Sequence, residues 1–152
     1  MAYTTLEARH QLLDTLATAA DEIGLALAYL GEAYEQLDEY AAERLEEGLF
    51  RPVQVAYGRA KRTYAEFAER HGLAGRAFEM PLAQVRANDA RGIIERAVQA
   101  VGEADHILAT LQDSMLPVEA GDPELRAGLA EVRRLVGDLH LRARALVRTL
   151  GR

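Results

Sequence analysis

The apolar pattern of the first 47 residues constrains the fold more than any other feature of the chain. From Leu13 onward, apolar residues recur in alternating steps of three and four with no proline between them: Leu13, Leu16, Ala20, Ile23, Leu27, Leu30, Tyr34, Leu37 and Ala41. This spacing places them on one face of an α-helix. At 1.5 Å per residue, a helix over residues 4–47 would be about 65 Å long. The sequence therefore predicts a long first helix along which the other helices pack.

The same spacing returns in three later stretches. It predicts helices over residues 52–71, 89–115 and 123–150, with Pro52 and Pro123 at first helical positions and Gly72 and Pro117 at the ends. Gly48 is predicted to end the first helix, which leaves a tight turn at 48–51. Residues 72–91 lack periodicity and are expected to form a long crossover. This crossover is either a simple connection or a partner-binding segment. The expected fold is all-α: one domain over residues 1–152, an antiparallel four-helix bundle with an over-long N-terminal helix.

Charge is distributed unevenly along the chain. The net charge is −6, yet residues 32–47 carry seven acidic residues against Arg44, and residues 48–78 carry six basic residues against Glu66 and Glu69. Because an acidic helix beside a basic one neutralises the field of both, nucleic-acid binding is not expected. There is no cysteine and no run of 18 apolar residues. We therefore expect a cytoplasmic protein that neither contains disulfides nor enters a membrane.

Two sets of polar residues are candidates for a site. Glu32 and Glu35 on the first helix and Glu66 and Glu69 on the second would stand at similar heights if the chain turns near residue 50. This layout resembles that of the all-helical MazG-type nucleotide pyrophosphohydrolases, which hold magnesium with glutamates in an EExxE motif followed by ExxD. The ExxD motif is missing here. What the resemblance implies is a metal site at these four glutamates.

The second set consists of polar side chains on the predicted apolar seams. Apart from Tyr34, Tyr57, Tyr64 and His71, the assigned core positions are aliphatic or Phe. An enzyme needs titratable groups that converge in a cleft. If the chain holds a small-molecule pocket, we expect these four residues to line it.

A third group suggests a contact between protein molecules. Gly24 and Gly31 lie seven residues apart beside the first seam, where another helix could approach closely. Leu25 and Tyr29 are placed nearly opposite the seam, one turn apart, and Leu141 is a further spare apolar residue. The sequence thus predicts a homodimer through the face that bears Leu25 and Tyr29.

Taken together, these features favour a non-catalytic interaction protein. A clean apolar core with few polar residues is typical of a homo-oligomeric scaffold, adaptor or small chaperone, whose partners are a second copy and possibly another protein. No cofactor is expected. The alternative is a metal-dependent all-α hydrolase of the nucleotide pyrophosphohydrolase type or another carboxylate–metal bundle.

Overall fold

A computed structural model describes residues 2–83 and 89–150, with side chains for residues 5–83 and 89–149. Within these residues all regular structure is helical, which confirms the all-α prediction. The elements are α1 (Ala2–Gln36), α2 (Glu39–Leu45), a π-helical turn (Glu46–Phe50), α3 (Arg51–Arg70), α4 (Ala90–Asp113), α5 (Leu116–Ala120) and α6 (Pro123–Leu150). No helix in this part of the chain is long and apolar enough to cross a membrane. The cytoplasmic location stays a prediction.

The first helix is shorter than predicted, because the chain breaks at Leu37 and Asp38. Asp38 has extended backbone (φ −67°, ψ 167°), and its carboxylate accepts a hydrogen bond from the Ala41 N–H at 2.8 Å. This is an N-cap, and Glu39 adds a negative charge to the first turn that follows. Residues 4–47 are therefore two helices, since the capped start of α2 outweighs the continuous apolar spacing.

The predicted turn at residues 48–51 is instead helical. Glu46–Phe50 form a π-helical turn whose flanking residues Leu45 and Arg51 also have helical backbone. The path thus stays helical from Glu39 to Arg70. A proline inside a helix lacks an N–H and its ring crowds the carbonyl four residues back, which for Pro52 is that of Gly48. A wider π turn at this point gives that ring room.

The boundary before the last helix agrees with the prediction, but a short helix precedes it. The predicted third helix, 89–115, ends at Asp113, and α5 follows after Ser114. Gly121 then ends α5 in the left-handed conformation (φ 65°, ψ 39°). Asp122 caps α6 by accepting a hydrogen bond from the Leu125 N–H at 3.0 Å.

The four long helices contact one another in a ring. In this ring α1 packs against α4 and α3, and α6, which lies across the ring from α1, packs against the same two helices. Their inward faces form one apolar core that includes Leu16, Ile23, Phe67, Ile94 and Leu129. The α1–α3 flank and the α4–α6 flank thus lie on opposite sides of the ring.

The first part of the predicted 72–91 crossover packs on the helices. The Arg76 N–H donates to the Tyr64 hydroxyl at 3.2 Å, and the Arg76 side chain forms an ion pair with Asp21 of α1. The ring of Phe78 meets that of Tyr64 edge to face, with 4.9 Å between centroids. Residues 84–88 of the predicted crossover lie outside the described residues.

Helices α3 and α6 approach closely where Gly128 of α6 faces the side chain of Thr63 of α3. A Cβ atom built on Gly128 would lie 2.7 Å from both Oγ1 and Cγ2 of Thr63. Real Cβ atoms do not approach other atoms so closely, so the contact depends on the missing side chain.

We predict that Gly128→Ala lowers the free energy of unfolding by about 1–3 kcal/mol, because the added methyl group overpacks this contact. Gly58→Ala is the matched control: a Cβ at Gly58 meets nothing within 4 Å, so loss of a helical glycine should stabilise by up to about 1 kcal/mol. Urea unfolding measures both. Adding Thr63→Ala to Gly128→Ala should restore part of the loss, and equal stabilisation at the two glycines would contradict the close contact.

Candidate functional site

Three of the four residues of the predicted small-molecule pocket have separate partners. Tyr57 is buried with the Lys61 ammonium 4.3 Å from its ring centroid, and burial raises the pKa of its hydroxyl. Tyr64 accepts the Arg76 N–H, and His71 contacts a carboxylate of α6. Tyr34 alone of the four is exposed, at 41%. The structure therefore does not bring them together as one cavity lining.

The predicted dimer residues divide into three kinds. Gly24 is buried, and a Cβ there would lie 3.2 Å from the Tyr57 ring, so another helix does approach at this glycine, within the same chain. Leu25 and Tyr29 are half-buried against the core rather than exposed. The crossover reaches α1 at Asp21, one turn before Leu25, through the Arg76 ion pair. Gly31 has open space where a side chain would be.

The four glutamates proposed as metal ligands are all exposed. Among residues with described side chains, no group of three or more His, Cys, Asp or Glu could hold a metal ion. Glu32, Glu35, Glu66 and Glu69 are therefore not gathered into a site. The hydrolase alternative depended on that gathering and stays a prediction.

A network that the sequence did not predict joins α3 to α6 around Asp122, whose side chain is 5% exposed. Its Oδ2 accepts hydrogen bonds from Arg70 Nε at 3.0 Å and Nη2 at 2.8 Å, and lies 2.8 Å from His71 Nε2. Its Oδ1 accepts the Leu125 N–H. Arg70 also reaches Glu124, with 3.0 Å between the charged atoms. Asp122, the N-cap of α6, thus also binds the C-terminal end of α3.

These contacts determine the ionisation of Asp122. Burial raises its pKa, but the hydrogen bonds from the Leu125 N–H, His71 and Arg70 outweigh burial, and the pKa lies below its ordinary value. A carboxyl group with a lowered pKa in the folded state contributes stability at pH values above its unfolded pKa. That contribution is lost as pH falls through the folded-state pKa.

We predict that Asp122→Asn lowers the free energy of unfolding at pH 7 by about 2–3 kcal/mol, because Arg70 loses a buried charge-assisted bond while the cap survives. Glu124→Gln is the matched control, since Glu124 binds the same arginine from an exposed position, and its effect should stay under about 1 kcal/mol. Urea unfolding measured from pH 7 down to pH 2 should show the Asp122→Asn deficit shrinking. A deficit independent of pH would contradict the charge-based account.

The contact between α1 and α4 places like charges together. Burial raises the pKa of Glu22, and the neighbouring carboxylates of Glu103 and Asp21 raise it further. A raised carboxyl pKa stabilises the fold below the unfolded pKa, about 4.3 for Glu, and this stability is lost as pH rises through the folded-state pKa. Ionised Glu22 therefore weakens the α1–α4 contact at neutral pH.

We expect Glu22→Gln to raise the denaturation midpoint at pH 7 and to have little effect at pH 4, because only the ionised carboxylate is disfavoured by burial and repelled by its neighbours. The exposed Glu32 of the same helix serves as the control, and Glu32→Gln should show no such pH-dependent gain. Thermal unfolding monitored by circular dichroism measures both variants. A gain of the same size at both pH values would show that the charge of Glu22 is not the cause.

A depression opens on the α1–α3 flank, at the end of α1. Its volume is about 330 Å³, and its lining consists of Gly31, Tyr34 and Glu35 of α1 with Glu46 and Phe50 of the π-helical turn. It exists because Gly31 contributes no side chain and the π turn places Phe50 across from it. Gly31 and Tyr34 were singled out in the sequence for different reasons, but the depression itself could not be predicted without the π turn.

A second depression, a groove of about 490 Å³, lies on the opposite α4–α6 flank. Val98 and Gly102 of α4 face His140, Arg144 and Val147 of α6 across it. None of these residues was a candidate for a site in the sequence, because the groove depends on how two helices distant in the chain are placed.

Comparison of the chain with protein-family models, curated proteins and solved structures finds no match.

Proposed function

We propose that this protein is a non-catalytic helical interaction protein that acts as a homodimer, as a scaffold, adaptor or small chaperone. The observation that carries the proposal is the depression at the end of α1 with the exposed Tyr34 beside it. Tyrosines that are partly exposed beside a concave surface are typical anchors of protein interfaces.

We propose further that the four long helices form an antiparallel four-helix bundle. Paired positions on α3 and α6 run in opposite order, since Arg70 meets Asp122 and Thr63 meets Gly128. On α4 and α6, Asp105 pairs with Arg133 while Val98 and Val147 share the groove. The ring of contacts among α1, α4, α6 and α3 is also what such a bundle requires.

The shape of the α1–α3 flank favours a second copy as the partner. The depression borders Tyr34, and an isologous dimer would place each Tyr34 against the depression of the other copy. We therefore place the dimer contact at Gly31 and Tyr34, further along α1 than the face of Leu25 and Tyr29 that the sequence predicted.

The charges of the same flank are complementary to themselves. Exposed Glu32 and Glu35 lie on α1, and exposed Arg51 and Arg62 lie on α3. A two-fold axis between the helices would bring α1 of one copy beside α3 of the other, and so acidic residues beside basic ones. Such pairing fixes the register of the two copies and disfavours a partner whose surface carries charges of a single sign.

We predict that Tyr34→Glu converts the protein from a dimer to a monomer of 16.7 kDa, because it places a charge at the centre of the contact. Tyr40→Glu is the matched control, since Tyr40 is a more exposed tyrosine (72%) that does not line the depression, and this variant should remain dimeric. Sedimentation velocity measures mass, and circular dichroism confirms folding. A monomeric wild type at micromolar concentration, or a dimeric Tyr34→Glu variant, would refute the proposal.

Native mass spectrometry of protein purified without chelator tests the hydrolase alternative in the same material. Added Mg, Mn or Fe should leave the dimer mass unchanged. Stoichiometric metal uptake that is lost in a Glu32→Gln, Glu66→Gln variant would overturn the non-catalytic proposal and favour nucleotide hydrolysis.

A further inference from the structure

The groove between α4 and α6 is of a size suited to a small molecule. Ligand pockets commonly measure about 300–1,000 Å³ and combine an apolar lining with a few polar groups, and this groove measures about 490 Å³. Val98 and Val147 are half-buried against the core and give the groove apolar surface. Gly102 leaves its part of the wall open, since a Cβ there would meet nothing within 4 Å.

The polar part of the groove is positively charged. Arg144 and Arg148 lie one turn apart on α6 and both line it. Neither has a hydrogen bond or ion pair with any residue in the described part of the chain. The one acidic side chain of the lining, Glu95, is already paired with Arg91 at 3.5 Å. Two guanidinium groups at an apolar groove, in a chain of net charge −6, are therefore free for an anion.

His140 provides a second, independent observation. It lines the groove one turn before Arg144, and its Nδ1 is buried without a hydrogen-bond partner among the described residues. Buried polar atoms are nearly always bonded to protein, water or a ligand. His140 therefore brings to the edge of the groove a ring whose Nδ1 has no hydrogen-bond partner among the described residues.

From these observations we infer that the α4–α6 groove binds a small amphiphile with an anionic head group and an apolar body. Arg144 and Arg148 bind the head group, because guanidinium groups form charge-assisted, often bidentate bonds with carboxylate and phosphate. Val98 and Val147 contact the apolar body, which occupies the space left by Gly102. The site lies on the flank opposite the proposed dimer contact, so binding and dimerisation are compatible.

Titration calorimetry with octanoate and octyl phosphate tests the ligand chemistry, and the comparison between them identifies the preferred head group. Saturable binding of at least one of them, at one molecule per chain, is expected. Octan-1-ol lacks the charge and acetate lacks the chain, so both should bind far more weakly. Equal binding of octan-1-ol would show a merely apolar groove, equal binding of acetate would show an adventitious anion site, and no saturable binding of either probe would refute the inference outright.

Variants locate the site. Arg144→Gln and Arg148→Gln should each weaken binding of the preferred probe about ten- to hundredfold, as loss of a charge-assisted hydrogen bond does. Arg142→Gln is the matched control, since Arg142 is paired with Asp138 at 3.5 Å and does not line the groove. It should leave affinity unchanged. Equal effects of all three arginine variants would indicate general charge attraction and contradict the site.

Gly102→Leu tests the apolar part without touching a charge. Because its Cβ has open space, the variant should fold, fill the groove and abolish binding. Gly58→Leu introduces the same change at an open glycine of α3 and should bind like the wild type. Undiminished binding by folded Gly102→Leu would overturn the inference. A change of oligomeric mass in this variant would overturn it too, because the groove would then hold a second copy.

Discussion

Contacts that require glycine and alanine determine how closely these helices pack, and the rest of the structure follows from that closeness. Gly24 faces the ring of Tyr57, and Gly128 faces Thr63 at a distance that admits no Cβ. Buried alanines such as Ala19 and Ala26 line α1 between the larger side chains. Helices that approach so closely leave little space inside the core. Concave surface is therefore found on the outer flanks, where Gly31 and Gly102 leave the wall open.

Charged side chains act differently at the two ends of α3. At one end, Asp122 joins the end of α3 to the start of α6 through Arg70 and His71. At the other, the ion pair between Glu46 and Arg51 joins two exposed side chains, with 3.9 Å between the charged atoms. Buried charge pairs are costly to break, whereas exposed ones contribute little to stability. The buried Asp122 network is therefore suited to holding α3 and α6 together, whereas exposed charges are suited to recognition of another copy.

Periodicity predicted the helices well and their surroundings poorly. It identified the apolar faces of α1, α3, α4 and α6 and the start of α6 at Pro123, because these depend on neighbours within one turn. It did not reveal the break at Asp38, where a capping carboxylate competes with an unbroken apolar spacing. Nor could it show that residues after Gly72 reach α1 near Leu25, or that His71 contacts Asp122, because those contacts join residues far apart in the chain. Both depressions were missed for the same reason.

The most direct test of the proposed dimer uses the absence of cysteine, which makes one introduced thiol unique. Gly58→Cys and Gly102→Cys each place a nitroxide label at an open glycine, on α3 outside the depression and on the opposite flank respectively. Double electron–electron resonance then measures the distance between labels in the two copies. Dimerisation through α1 and α3 predicts a short, narrow distance at residue 58 and a longer one at residue 102. The reverse order, or no dipolar coupling at residue 58, would contradict it.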